Sequence, residues 1–273
     1  MKRAYVAIRE APVYRREAFV AGLKACGYDV HIGTPSTFDA DTVFVPWNRY
    51  LENHDTCSRV EVAGGVALIA ENGYVGPGGA SPHDTFPREW YALARSYHND
   101  STVITRGNAS RWDALGIDVK PWRQAGGHIL VCPNRSFGTP GRFMPFHWID
   151  EVTARLRLLT KREIRVRPHP GNNAPAKPLA ADLAGAWATV IWSSSAGVHS
   201  LIAGIPVICE APFWIAKKAA GRIEEVELPP TPNRAPIFER LAYAQWSLAE
   251  ITSGEAFAHC LRAAREGEVR AAD

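Results

Sequence analysis

Residues 188–209 read Ala-Thr-Val-Ile-Trp-Ser-Ser-Ser-Ala-Gly-Val-His-Ser-Leu-Ile-Ala-Gly-Ile-Pro-Val-Ile-Cys, and they decide the fold class. Ala188–Trp192 is a short apolar run that predicts a buried strand. A hydroxyl-rich turn then opens a short helix, Gly197–Gly204, and Ile205–Cys209 returns as a second strand. Strand, helix and strand in so short a span mean a parallel sheet with a crossover helix.

The same rhythm extends outward. Upstream, His128–Cys132 predicts a strand, Phe146–Leu159 a helix and Glu163–Arg167 a strand. Pro121–Gly127 (PWRQAGG) reads as a linker, and a first α/β series precedes it. Ala4–Ile8 is a strand; Phe19, Val20, Leu23 and Cys26 recur at helical spacing over Tyr14–Cys26, and Gly27 stops that helix. Val30–Ile32, Thr42–Trp47 and Val66–Ala70 predict strands, with Leu51–Ala63 helical between the last two. WYALARSY (90–97) reads as an apolar helix, Val103–Thr105 as a weak strand and Ser110–Leu115 as a helix. Ala235–Ala264 reads as one long helical stretch crossing back onto the first lobe. The expected division is 1–123, 124–240 and 241–273: two Rossmann-like domains in tandem, then the returning helices.

Composition fits this picture. The chain has 273 residues, enough for two domains with a core each. Hydrophobic residues make up 46% and charged residues 22%, a globular balance that argues against wholesale disorder. No apolar run reaches the length of a bilayer span. The opening MKRAYVAIREAP has too short an apolar stretch for a signal peptide and reads as the first strand. The expectation is a cytoplasmic protein without a membrane partner. Its five scattered cysteines (Cys26, Cys57, Cys132, Cys209, Cys260) show no metal or redox spacing and are expected as small core hydrophobes. The net charge of +3 suits an anionic partner only weakly.

Ligands of open α/β sheets bind outside the carboxyl ends of the strands, so the informative residues are those just after strands. Arg165-Val-Arg167-Pro-His169-Pro-Gly171-Asn172 carries alternating arginines into a turn, where His169 can hydrogen-bond a phosphate or ribose and Arg167 adds positive field. A histidine satisfied within its loop is the alternative. Ser193, Ser194 and Ser195, with Gly197 inside the helix, offer free N–H groups and hydroxyls as a phosphate cradle; a plain serine N-cap accounts for only one of the three. His199, within the helix, is equally suited to a core-facing position. Glu71-Asn72-Gly73-Tyr74 ends a strand beside a glycine-rich loop, which suits Glu71 to general-base work on a hydroxyl. His98-Asn99 is a further polar pair, with a helix-terminal cap as its alternative. Asp39-Ala-Asp41 has the form of a metal motif but lies at the amino end of the sheet, and reads as a turn without a metal role. No Walker A loop, GxGxxG, HExxH or GxSxG is present, so kinase, dinucleotide dehydrogenase, zinc protease and α/β-hydrolase readings lose their support.

Taken together, Glu71-Asn72-Gly73-Tyr74, His169-Pro170 and Ser193–Ser195 resemble, in order and spacing, the motifs of the capsule-polysaccharide glycosyltransferases, a group that includes bacterial Kdo- and sialyl-transferases. The resemblance implies a GT-B fold of two Rossmann-like domains facing across a cleft. It also implies Glu71 as the catalytic acid–base residue, with His169 and the serines on the donor. A closer resemblance, over ENGYVG, YALARSYHN, RWDALGIDVKPWRQAGGHILVCPNRSFG and LAYAQWSLAEITSGEAF, is to phage-encoded relatives that decorate modified bases in DNA. Those relatives read His-Asn-Gly where this chain has His98-Asn99-Asp100. This second resemblance implies sugar transfer onto a 5-hydroxymethylpyrimidine in double-stranded DNA, in the cytoplasm of an infected host.

The resulting expectation is a glycosyltransferase with a nucleotide-sugar co-substrate and no further cofactor or metal. Donor residues are Asn134, Arg135, Gly138, Arg167, His169, Ser193, Ser194, Ser195 and Gly197; acceptor residues are Asn72, Tyr74, His98 and Asn99. The phage resemblance favours a UDP-sugar, whereas the His-Pro and serine motifs resemble those of CMP-sugar users. Arg106, Arg111, Arg123, Arg135 and Arg142, grouped around the linker, are candidates for a DNA backbone path. A saccharide or lipid-linked acceptor, a sugar-nucleotide epimerase and a non-catalytic nucleotide- or DNA-binding protein are the competing readings.

Overall fold

The computed structural model describes residues 2–82, 88–95, 97–100, 107–136, 138–139, 141–169 and 178–265. Two compact units emerge. One combines Met1–Leu115 with Phe238–Asp273, and the other is Gly116–Ile237.

The first unit starts with β1 (Arg3–Ala7), α1 (Arg16–Ala25), β2 (Asp29–Ile32), β3 (Thr42–Pro46), α2 (Glu52–Val62) and β4 (Val66–Ala67). These strands form a parallel sheet in the order β2-β1-β3-β4. The expected single strand Val66–Ala70 is divided: at Leu68 the chain leaves this sheet and continues as β5 (Ile69–Asn72) in another. A parallel bridge between Trp47 and Ala70 keeps β5 beside the end of β3.

WYALARSY is not a helix. Trp90–Ala94 forms β6, antiparallel to β5, with Ala92 opposite Glu71 and Tyr91 opposite Asn72. An apolar run of this length carries no period of its own, so its partners decide. Tyr91 and Leu93 join the main core while Ala94 packs with Phe44 and Ile69, the alternation of a strand. The expected strand Val103–Thr105 lies outside the described residues. Helix α3 (Ser110–Asp113) is shorter than expected.

The second unit holds β7 (His128–Cys132), α4 (Trp148–Leu159), β8 (Glu163–Val166), α5 (Leu179–Leu183), β9 (Ala186–Ile191), α6 (Ala196–Ile202), β10 (Val207–Cys209) and β11 (Ala220–Gly221). Its five strands run parallel in the order β11-β10-β9-β7-β8. Ile129, Val131, Val152, Leu156, Val190 and Ile208 build its core. His128 lies in that sheet, with Nε2 3.1 Å from the Asp182 carbonyl.

The C-terminal stretch is not one helix either. After α7 (Ala235–Ala242) comes β12 (Gln245–Ser247), antiparallel to β6, then α8 (Leu248–Ser253) and α9 (Glu255–Arg265). Ser247 ends the strand and starts the helix: its hydroxyl accepts from Glu250 N–H at 3.2 Å, while Glu250 Oε2 accepts from Ser247 N–H at 2.7 Å. This reciprocal capping fixes the break. Trp246, Ile251, Phe257 and Leu261 share one core with Phe19 and Leu23 of α1. Burying each large side chain contributes about 1.5–3 kcal/mol. A Cβ at Gly22 would sit 1.9 Å from the Ile251 carbonyl, so α1 meets α8 only because that position has none.

All five cysteines are free, and Cys57, Cys132, Cys209 and Cys260 are buried. Burial pushes those four thiols up to about 12, leaving them inert. Among the described residues no helix is long and apolar enough to cross a membrane.

Candidate functional site

In the second unit, β8, β7 and β9 are adjacent and parallel, so their carboxyl ends share one edge. His169, Asn134 and Ser193 each follow one of these strands within three residues. Asn134 Oδ1 accepts from the Ser193 N–H at 3.0 Å and ties two of the three turns together. The three serines divide their work. Ser194 Oγ accepts from the Ala196 N–H at 3.3 Å, which is the capping role, while Ser195 makes no side-chain cap. Ser193 is buried at the turn's base.

Other expected donor residues sit nearby with different tasks. Gly197 is sterically required: a Cβ there would meet Trp214 at 2.5 Å and Ile191 at 2.8 Å. Gly138 has φ 142°, which favours glycine. Arg135 is exposed beyond β7. Arg167 pairs with the Asp182 carboxylate, and Arg165 donates to Glu163 at 2.6 Å. Pro170, Gly171 and Asn172 lie outside the described residues.

In the first unit, Glu71 and Asn72 end β5. Glu71 Oε2 accepts from Asn72 N–H at 3.0 Å and lies 3.3 Å from Asn72 Nδ2, while Asn72 Oδ1 accepts from Arg88 Nη1. The following turn is held from elsewhere in the unit. Gln245 Oε1 accepts from Tyr74 N–H at 2.7 Å and Val75 N–H at 3.1 Å, and Gln245 Nε2 donates to the Val75 carbonyl at 2.6 Å. Gln245 is fully buried, so these bonds give both its amide oxygen and its amide nitrogen a partner in a place water does not reach. Gly73 donates to the Trp90 carbonyl at 3.0 Å.

His98 stacks on Tyr74, with ring centroids 5.1 Å apart and planes 4° from parallel. Asn99, at φ 62°, donates its N–H to the Tyr74 hydroxyl at 3.4 Å. Burial pushes the Tyr74 hydroxyl upward and lowers His98 to about 4, so the imidazole is neutral near pH 7. His98 Nδ1, Asn99 Oδ1 and Arg95 Nη1 are buried without hydrogen-bond partners. The pair therefore belongs with Tyr74 and follows a strand, not a helix end.

The linker arginines are largely spent on structure. Arg111 pairs with Glu250, donates to the carbonyls of Ala242 and Gln245, and lies over the Trp246 ring at 4.3 Å. Arg123 donates to the carbonyls of Leu183 and Ala186 at 2.9 and 2.8 Å. Arg142 covers the Phe213 ring at 4.6 Å, and Arg106 lies outside the described residues. The partners of Arg111 and Arg123 are 60 or more residues away in sequence, which sequence proximity to the linker conceals. Asp39 is a turn residue, accepting from Asp41 N–H at 3.1 Å and Thr42 Oγ1 at 2.8 Å and pairing with Arg3. Among the described residues no three His, Cys, Asp or Glu side chains gather as a metal site.

Sequence reading missed Gln245, Arg88 and Tyr91. Only the first left a signal: one amide within the apolar run LAYAQWSLA must find partners if that run is buried.

No protein-family model and no curated protein matches the chain. Solved structures do. The chain is similar to the Thermosulfurimonas dismutans KpsC beta Kdo 2,7 transferase, with 14% identity, TM-score 0.58, and coverage of 94% of this chain and 99% of that one. It is also similar to the beta Kdo 2,4 transferase of the same organism's KpsC, with 14% identity, TM-score 0.56, and coverage of 90% and 92%. At this identity the likeness is one of fold.

Proposed function

We propose that the chain is a glycosyltransferase that moves a sugar from a nucleotide-sugar onto a hydroxyl. The observation that carries this reading is the gathering of Asn134, His169 and Ser193 at one sheet edge, in a chain with the fold of two Kdo transferases. The donor's nucleotide and phosphate are held by the second unit, and Glu71 of the first unit is the general base. As the acceptor oxygen bonds to the anomeric carbon, its proton passes to Glu71 and the carbon–phosphate-oxygen bond breaks. Negative charge grows on the departing phosphate. The backbone N–H groups of Ser194 and Ser195, together with His169, stabilise it there, without a metal in the proposed scheme, which lowers the barrier as well as tightening binding.

The proposed acceptor is the hydroxyl of a 5-hydroxymethylpyrimidine in duplex DNA, and its support is the sequence resemblance over ENGYVG and the longer segments. Such a hydroxyl lies within a stacked duplex, so the base must swing out to react. A UDP-sugar is the proposed donor. A second reading, a CMP-sugar with a saccharide acceptor, is favoured by the Kdo transfer named for both structural neighbours.

Purified protein is incubated with UDP- and CMP-sugars and with DNA bearing 5-hydroxymethylcytosine or 5-hydroxymethyluracil, and the nucleosides are weighed by mass spectrometry. A hexose-sized gain on one base supports the reading and identifies donor and acceptor. Glu71→Gln is expected to abolish the gain while leaving donor affinity unchanged. Near wild-type turnover in that variant would sink the role of Glu71, and transfer to an oligosaccharide alone would favour the second reading.

A further inference from the structure

We propose that Arg15 and Arg88, beside Glu71 and Asn72 in the first unit, form a site for a phosphodiester of the acceptor; the proposal rests on the DNA reading above. The segments that carry the two arginines are far apart in sequence and meet at Tyr91. Its hydroxyl lies 3.1 Å from the Val13 carbonyl and 3.3 Å from the Arg88 carbonyl. Tyr91 is also the register partner of Asn72. Arg88 Nη1 donates to Asn72 Oδ1, and Asn72 in turn donates to Glu71. The Arg88 guanidinium therefore stands one side chain from the proposed base, and the backbone two residues before Arg15 reaches the same tyrosine.

Both retain unspent capacity. Arg88's partner is a neutral amide oxygen, which leaves its charge uncompensated by that contact. Arg15 Nε is buried without a hydrogen-bond partner. Among the described residues the carboxylate that approaches it, Glu17 Oε1, is 4.0 Å away on a side chain 77% exposed. Arg3, Arg49, Arg111 and Arg167 are different, each paired closely with a carboxylate. Burial pushes the Tyr91 hydroxyl up to about 12, and the charges of Arg15 and Arg88 oppose that rise, so both cations are felt at this hydroxyl. The Arg15 side chain is 30% exposed, so its outer guanidinium nitrogens are open to an anionic oxygen, the natural complement of a guanidinium.

Phosphodiester is favoured over a saccharide carboxylate by what lies alongside. Tyr14 and Trp47 form a part-buried edge-to-face pair, centroids 4.7 Å apart, and Trp47 in turn meets Tyr91. Arg9 lies over the Tyr14 ring at 5.0 Å and donates to its hydroxyl at 3.1 Å. Guanidinium groups interleaved with aromatic rings suit a nucleotide swung out of the duplex, charge meeting its phosphate and a ring meeting its base.

Binding is tested apart from transfer. The full chain is titrated against a fluorescein-labelled duplex carrying 5-hydroxymethylcytosine, by anisotropy, at salt from about 50 to 200 mM. Arg15→Gln/Arg88→Gln is expected to weaken binding at least tenfold and to flatten the log–log salt slope by about 0.9, the value for one lost phosphate contact. Arg15→Lys/Arg88→Lys should keep most of the slope, and thermal melting with UDP and CMP affinity checks that the variants fold. Wild-type affinity and slope in the Gln variant overturn the site. So does absence of duplex binding by the wild type, or displacement of the duplex by oligosialic acid of equal charge. If duplex binding falls as expected but no donor yields transfer, the site stands and the glycosyltransferase reading falls. If transfer to DNA persists in the Gln variant with unchanged KM, the reading stands and the site falls.

Discussion

The side-chain oxygen of Gln245 lies 2.7 Å from the backbone nitrogen of Tyr74, across 171 residues of sequence. With two further bonds to Val75 it fixes the turn that follows Glu71. Gln245→Leu keeps the volume but leaves two N–H groups and one carbonyl unsatisfied in a dry place. The expected loss is about 2–4 kcal/mol in urea unfolding, with kcat lowered more than KM because the proposed base is displaced. Gln245→Glu, which can still accept both N–H bonds, should recover part of the rate.

His98 makes stability depend on acid. Its folded pKa, about 4, lies below the ordinary histidine value of 6.5, so the unfolded chain takes the proton first. Stability from this group is therefore complete above about pH 6.5 and is lost as pH falls towards 4. The full effect is on the order of 3 kcal/mol. Chemical unfolding at a series of pH values should show this slope in the wild type and a shallower one in His98→Asn. An identical profile in both would remove the histidine from the account.

Gly197→Ala should overpack the second unit. The new methyl meets the Trp214 ring at 2.5 Å, which costs about 1–3 kcal/mol and pushes the start of α6 away from its sheet. Weaker nucleotide binding by calorimetry is expected together with the lower unfolding midpoint. Unchanged stability would mean that Trp214 swings aside freely.

Arg111→Met separates structure from DNA contact. Burial alone would raise Glu250, but Arg111 and the Ser247 N–H hold it below the usual carboxylate range. Losing the arginine strands that carboxylate, at a cost of about 3–5 kcal/mol where burial is complete and less at this half-buried pair. A lower melting temperature with an unchanged salt slope for duplex binding is expected. A flattened slope would restore Arg111 to the DNA path.

How much of this was legible follows from where each residue's partners lie. Strands β7, β9 and β10 could be read because a parallel sheet buried on both faces leaves unbroken apolar runs, and the turns at their ends are local. Trp90–Ala94 was misread because five apolar residues fit either period; the ladder to Glu71 and Gln245 chose the strand. Ser247 with Glu250 was a readable helix start, yet the three-residue strand before it was too short to interrupt a helical pattern. Glu71 could be singled out from its strand-end position. Arg15 and Arg88 could not, since a tyrosine hydroxyl between two carbonyls has no sequence signature.

The first unit is completed by residues from both sides of the second, and this has a consequence in time. A ribosome makes about 5–20 residues per second, and Gln245 follows Val75 by 170 positions. Roughly ten to thirty seconds therefore pass with the Glu71 turn already made and its clasp not yet synthesised. All of Gly116–Ile237 emerges in that interval and can fold before its host does. The proposed base is thus among the last parts of the nascent chain to be set, and the unfinished protein carries the proposed donor-side turns before it can use them.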